Sequence, residues 1–313
     1  MPSSGRSSRS WPRSRSMLER GGIALSGIGD EASSSLEEQA RVHAELGWTE
    51  LELRSADGAA FADWDDALTG KARRLLSGAG LKASIADSRI GNWERTISTP
   101  YERELEELER CAERLLRLGG WGLRVMSWPN DGLSESDWEK SVLERMDRLA
   151  EQAGRCGVTL LHENCAGWAG CDPERALRLV ETVGRPSLRL LVDTGNGIAY
   201  RYSAPDYLRR ALPYVEHVHV KDGRLENGKA MYTLPGRGDA GVAECLGLLL
   251  DAGYTGLLAI EPHLHVVPHL GERGGGAGQL EAYAAYGREL ERLLAAVRAD
   301  ARSEAAAAGE EPA

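Results

Sequence analysis

Eight short apolar runs alternate with helix-patterned stretches between about Ile23 and Val297, and four of the runs end on a side chain that binds divalent metals. The runs are GVTLLHEN, LRLLVDTGN, VEHVHVKD and GLLAIEPH, and the four residues are Glu163, Asp193, His219 and Glu261. They lie 30, 26 and 42 residues apart, intervals close to one strand, one helix and two loops. Such alternation is the pattern of a parallel sheet with crossover helices. Eight units close into a ring whose strand ends converge on one face. The expectation is therefore an α/β fold, a single-domain (β/α)8 TIM barrel with these four side chains at its mouth.

Strands are expected near 23–27, 50–54, 82–87, 122–127, 158–163, 188–193, 215–220 and 257–261. Thr99-Pro100-Tyr101-Glu102 reads as a capping box with Pro at the first helical position, and Asp172-Pro173 opens the next marked helix the same way. Leu280, Tyr283, Leu290, Leu293, Leu294 and Val297 form the stripe a final helix needs to pack on the outside of the ring. A Gly-rich run, Gly271–Gly278, is expected as a loop on the site face, since loops there surround the site of such barrels.

A chain of 313 residues, 42% hydrophobic, suits one barrel of ordinary size, expected over residues 19–299. Residues 1–18 are Arg/Ser-rich and 300–313 Ala/Glu-rich, and both read as disordered tails. The first 16 residues hold four Arg, seven Ser and no acid, in the manner of a transit peptide, but Pro2 and Pro12 interrupt any helix there. The net charge of -10, with basic residues interspersed among acids, excludes a nucleic-acid partner. No run approaches 18 apolar residues, so no membrane partner is expected. Five cysteines without a CxxC pair point to reduced thiols in a cytoplasmic protein. Homo-oligomerisation stays open, as no apolar stripe marks an interface.

Strand parity refines the site, because alternate side chains face opposite sides. His217, His219 and Lys221 share the inward side, with His217 as a layer residue below His219. Glu163 shares its side with Leu161 and Thr159, turning His162 away, and Glu261 shares its side with Ala259. Two Glu, one Asp and one His make a hard O/N donor set for one divalent metal ion, favouring Mn²⁺, Mg²⁺ or Co²⁺ and compatible with Zn²⁺.

The segments HEN (162–164), VDTGN (192–196), HVHVKD (217–222), PGRGD (235–239) and IEPH (260–263) resemble the strand-end motifs of the sugar-phosphate isomerase/epimerase group, the xylose isomerase-like barrels. The resemblance implies that Glu163, Asp193, His219 and Glu261 are the metal ligands and that Glu163 and Glu261 double as the catalytic acid/base pair. One departure is Asn196, where many relatives carry a His three residues after the Asp.

Proton transfer next to a carbonyl needs a base, an acid and a positive charge to stabilise the enediolate, and a chelated ion supplies the charge. The expected function is metal-dependent isomerisation or epimerisation of a sugar, sugar phosphate or polyol ketone. A dehydratase acting on an inosose or keto-sugar shares the first step, and a non-catalytic sugar-binding barrel is the remaining alternative. The DNA-repair nuclease of the same barrel group needs extra His ligands that the first four strand ends lack.

Substrate contacts are expected from Arg54, Asn92, Trp128, Asn130, Asn196, Lys221 and Arg237, with Trp93 beside Asn92. Arg54 and Arg237 can equally pair with acids such as Glu52 and Asp239. His263, His265 and His269 read as a loop cluster, and Cys165, lacking a positioned base, as an inert thiol. Gly236–Gly241 fits GxGxxG, yet no strand directly precedes it and Pro235 does, so it is no dinucleotide fingerprint.

Overall fold

The structure is a computed structural model describing residues 22–264 and 278–308. The expected N-terminal tail, His265, His269 and the glycine run up to residue 277 lie outside them. The chain runs β1 (Ala24–Gly27), α1 (Leu36–Leu46), β2 (Ser55–Ala56), β3 (Ala59–Ala60), α2 (Asp66–Gly78), β4 (Ile85–Asp87), α3 (Tyr101–Arg117), β5 (Gly122–Ser127), α4 (Glu135–Cys156) and β6 (Thr159–Gly167). There follow α5 (Pro173–Val183), β7 (Leu188–Asp193), α6 (Asn196–Tyr200), α7 (Ala204–Ala211), β8 (Val215–Val220), β9 (Asp222–Glu226), β10 (Lys229–Thr233), α8 (Val242–Asp251), β11 (Leu257–Ile260) and α9 (Gln279–Ala308).

Seven strands make one parallel sheet in the order β1-β11-β8-β7-β6-β5-β4. Residues 49–54 close the ring through isolated parallel bridges, Ile28 with Glu52 on one side and Glu50 with Lys82 and Leu53 with Ala86 on the other. Backbone hydrogen bonds such as Glu52 N to Gly27 O (3.0 Å) and Leu51 N to Lys82 O (2.9 Å) secure both seams. The fold is thus an α/β TIM barrel, with helices following each of the eight walls.

The strands are apolar because both faces are covered. Outward residues such as Val125, Leu160, Val192, Val218, Leu258 and Ile260 are fully buried in two large clusters against the helices, and each such side chain contributes about 1.5–3 kcal/mol. Inward residues Ile85, Leu161, Leu191 and Leu257 form a small apolar cluster of their own. Two residues further along β4, β6 and β7 the same parity presents Asp87, Glu163 and Asp193, and four further along the eighth wall it presents Glu261. The ring therefore has an apolar floor beneath a charged layer.

Local chemistry explains most boundaries. Asp172 caps α5 by accepting from Glu174 N (2.8 Å) and Arg175 N, with Pro173 at the first helical position. The capping box expected at Thr99 does not form. Pro100 is extended (ψ 129°), the helix starts at Tyr101, and Thr99 instead gives its carbonyl to Arg145 Nη1 (2.8 Å). The stripe expected on α9 packs as expected: Tyr283, Leu290 and Leu294 are buried, and Leu280, Leu293 and Val297 pack beside them. The same helix continues to Ala308, through most of the segment expected as a tail. Its Ala, Glu and Arg residues are strong helix formers as well as low-complexity ones. The β9–β10 hairpin was not expected, although Asn227-Gly228 (φ 52° and 79°) is the sequence signal for its turn.

Candidate active site

Glu163 sits midway along β6, Asp193 and His219 at or next to the ends of β7 and β8, and Glu261 just past β11, and one ligand atom from each lies within 4.8 Å of the others. All four are buried. Strand register brings them together, since Asp193 is level with His219 across β7 and β8, and Ala259 is level with His219 across β11 and β8. His219 Nδ1 faces Glu163 Oε1 and Glu261 Oε2 at 3.7 Å each. Its other nitrogen, Nε2, is 2.9 Å from Glu52 Oε1, and His217 Nε2 is 2.7 Å from Glu52 Oε2.

Asp193 is held rigidly. Its Oδ1 accepts from Gly195 N and Asn196 N at 2.7 Å each, while its backbone N donates to Asn164 Oδ1. Its other oxygen, Oδ2, has no hydrogen-bond partner but lies 2.9 Å from Lys221 Nζ, which is also 2.6 Å from Glu261 Oε2. Arg124 bridges Asp87 (3.0 Å) and Glu163 (3.4 Å), and Arg54 bridges Glu261 (3.0 Å), Asp30 (2.8 Å) and Glu31 (3.3 Å).

These pairings set the ionisation. Burial pushes the Glu261 carboxyl up, but Lys221 and His263 outweigh it and leave the group well below the ordinary carboxylate range. Burial acts likewise on Glu163, where Arg124 and His219 prevail and the shift is downward. Asp193 is raised to about 7 by burial, with Glu261 and Glu163 adding to it against the pull of Lys221. Burial drives His219 down, yet Glu52, Glu163 and Glu261 hold it well above the ordinary imidazole value. Three acids crowded around one imidazole face repel one another, and a bound cation relieves that repulsion.

The donor set fits a divalent ion. Glu163 Oε2, Asp193 Oδ2 and His219 Nδ1 are buried atoms that make only ion-pair contacts, with Arg124, with Lys221 and with the two glutamates, and three oxygen donors beside one imidazole nitrogen are the chemistry a hard divalent ion takes. A second group, Glu31, Glu261 and His263, shares Glu261 with the first, but Arg54 already occupies its centre through Glu31 and Glu261.

A narrow cleft opens above the cluster. Arg54, Asn196 and Lys221 line it, and Asn196 Nδ2 lies 3.4 Å from Glu163 Oε1. Asn92 does not line it; its Oδ1 caps Glu94 N, and the neighbouring Trp93 reaches the cleft instead. Trp128 is fully buried in the outer core, Asn130 is an exposed turn residue bonded to Leu133, and Arg237 is exposed and pairs with Glu289. In each case the loop carries the side chain away from the ring axis. Arg54 pairs with Asp30, Glu31 and Glu261 rather than with Glu52.

Sequence reasoning missed Arg124, Met126 and Cys165, which all line the cleft, and gave His263 only a loop role. Parity along β5 and β6 marks them, since Arg124 and Met126 share one side and Glu163 and Cys165 another. His263 lies 3.3 Å from Glu261 Oε1, under the Tyr232 ring of the hairpin (centroids 5.1 Å apart). Cys165 is held far from thiolate by burial, and all five cysteines are free. The GxGxxG-like run wraps a carboxylate instead of a phosphate. Asp222 Oδ2 accepts from Gly236 N (2.8 Å) and Gly238 N (3.0 Å), and Oδ1 from Gly223 N (2.8 Å) and Ala240 N (3.1 Å). No described helix is long and apolar enough to cross a membrane.

Comparison with known proteins agrees with this architecture. The chain is 37% identical over 144 residues to the 2-epi-5-epi-valiolone 7-phosphate 2-epimerase of Actinoplanes sp., covering 45% of this chain and 50% of that one. It is 27% identical over 143 residues to the inosose dehydratase of Bacillus licheniformis, covering 41% and 47%. The chain thus spans about half the length of the curated relatives it matches. Among solved structures it superposes on an L-ribulose 3-epimerase with a TM-score of 0.71 at 19% identity, covering 90% of this chain and 97% of that one. A D-allulose 3-epimerase from Methylomonas sp., solved with D-allulose, gives 0.69 at 18% identity, covering 87% and 96%. The family model described as the xylose isomerase-like TIM barrel matches residues 40–294, and the chain belongs to that family.

Proposed function

We propose that this barrel is a divalent-metal-dependent enzyme moving a proton next to the carbonyl of a sugar or related polyol ketone, as an isomerase or epimerase. The observation that carries the reading is the buried convergence of Glu163, Asp193, His219 and Glu261 from four separate walls of the ring. These four residues would hold the ion, with Mn²⁺, Mg²⁺ or Co²⁺ suited to the oxygen-rich set and Zn²⁺ compatible. The ion supplies the positive charge that steadies adjacent substrate oxygens as negative charge develops.

This chain's residues supply the rest. Glu163 and Glu261 stand on opposite flanks of the His219 Nδ1 position, with β7 and β8 between their strands. One carboxylate takes the proton from the carbon beside the carbonyl, and the C–H electron pair moves into an enediolate. The other, ionised at rest like the first, has to take up a proton from a substrate hydroxyl or from water before it returns one to the neighbouring carbon in isomerisation or to the opposite face in epimerisation. Arg124 and Lys221 hold the two carboxylates in place, and Asn196 and Arg54 present hydrogen-bond donors to the cleft. The apolar floor keeps bulk water from reaching the cluster from below. Relatives acting on D-allulose or on a valiolone phosphate support the substrate class.

A second reading is dehydration. It starts with the same proton removal and ends when a β-hydroxyl leaves with a proton from the enzyme. The match to inosose dehydratases favours it.

The test is exchange of substrate hydrogen with D2O, followed by NMR over ketoses, aldoses and inososes, with Mn²⁺ and after chelation. Metal-dependent exchange with a stereoisomer or aldose–ketose product establishes the first reading, and loss of water establishes the second. Stoichiometric sugar binding without exchange of any hydrogen rejects both in favour of a binding barrel.

A further inference from the structure

Glu52 lies outside the four-residue cluster, yet it reaches across the ring from the closing segment to β8. Its two oxygens engage two imidazoles at once, His217 Nε2 at 2.7 Å and His219 Nε2 at 2.9 Å. The two rings stand edge to face, centroids 5.0 Å apart and planes at 87°. All three side chains are at most 1% exposed. A carboxylate has no proton of its own to give when ionised, so both contacts are N–H donations from the histidines.

The geometry points to Glu52 as the positioning residue of the centre: it holds His219 in the orientation and Nε2–H form that turn the Nδ1 lone pair toward Glu163, Asp193 and Glu261. A His ligand whose second nitrogen donates to a carboxylate is fixed in tautomer and made more basic toward its ion. Here one carboxylate serves two histidines. The second N–H, from His217, fixes the carboxylate plane from below and leaves Oε1 aimed at His219. A glutamine at this position has a single acceptor oxygen and cannot receive both donors. The inference rests on the metal-dependent reading above.

Two measurements test it. The first is calorimetric titration of Mn²⁺ into wild-type protein, Glu52→Gln and His217→Gln. Glu52→Gln is expected to bind about 10–100-fold more weakly, with His217→Gln losing less. The second is ¹⁵N NMR of histidine-labelled wild-type protein loaded with Zn²⁺, where His219 is expected to show a metal-bound Nδ1 and a protonated Nε2. This keeps the inference testable should Glu52→Gln fail to fold. Wild-type affinity in Glu52→Gln, equal losses in both variants, or coordination of His219 through Nε2 overturns the positioning role while the metal site stands. A wild-type protein that binds neither ion overturns the metal reading itself.

Discussion

Lys221 Nζ lies 2.6 Å from Glu261 Oε2 and reaches Asp193 Oδ2 with the same ammonium, so a buried cation already stands against two of the four converging donors. Burial opposes the charge, but Asp193 and Glu261 hold the amine well above its ordinary value. A divalent ion held by the proposed site would compete with this ammonium for the same oxygens.

Lys221→Met removes the competitor and leaves two buried carboxylates without their partner. In chelator the variant is expected to be less stable by roughly 3–5 kcal/mol, and Mn²⁺ should raise its melting temperature more than it raises that of the wild type. Differential scanning calorimetry with and without Mn²⁺ checks this, and equal shifts in both proteins refute the competition.

Glu163→Gln and Glu261→Gln should each keep the fold and lose proton transfer by about 10²- to 10⁴-fold. Deuterium incorporation measured by NMR, beside circular dichroism spectra, separates the chemical loss from unfolding. If both variants keep full exchange, the acid/base assignment is wrong.

Asp222 gathers four backbone N–H groups from the β9 strand and the loop before α8. Asp222→Ala leaves those donors unpaired and should cost more than about 3 kcal/mol. Gly238→Ala should also destabilise, since a Cβ there would meet Asp222 Oδ1 and Gly223 O, each at 2.4 Å. Urea unfolding of both variants gives the numbers.

His43, buried between α1 and α9, is pushed from 6.5 to about 4 by burial, against weaker support for its charged form from the Gln39 and Gly27 carbonyls. Nδ1 lies 2.8 Å from Gln39 O, and Nε2 lies 3.2 Å from Gly27 O and 3.1 Å from Tyr283 Oη. A folded value below the unfolded one means that the unfolded chain takes up the proton first as pH falls. The contribution is fully present above about 6.5 and is lost between there and about 4, on the order of 3 kcal/mol. Unfolding free energies measured from pH 7 to pH 4 should fall, and less steeply in His43→Phe; parallel curves would contradict this account.

The ring and its four converging donors were legible because a strand states its parity and its end in a few residues: His217, His219 and Lys221 alternate with Val218 and Val220, and Glu261 follows an apolar run. The loops were not. Trp128 and Arg237 look like ligand contacts in sequence, yet each sits where a turn carries it outward, and a turn's direction depends on packing far along the chain. Arg124 was missed for a different reason. A cation in the middle of an apolar run is overlooked until Asp87 and Glu163 are seen on either side of it. The extended helix over Asp300–Ala308 shows that one composition can serve two physical outcomes, since Ala, Glu and Arg favour a helix as readily as they fill a tail.

Among the described residues, the apolar plug of Ile85, Leu161, Leu191 and Leu257 lies across the floor of the ring, and the proposed site lies on the other side of it. An occupant of that site would depart on the side it came from, so release would have to precede the next arrival, and any competitor lodged above it would trap the occupant as surely as it bars the newcomer.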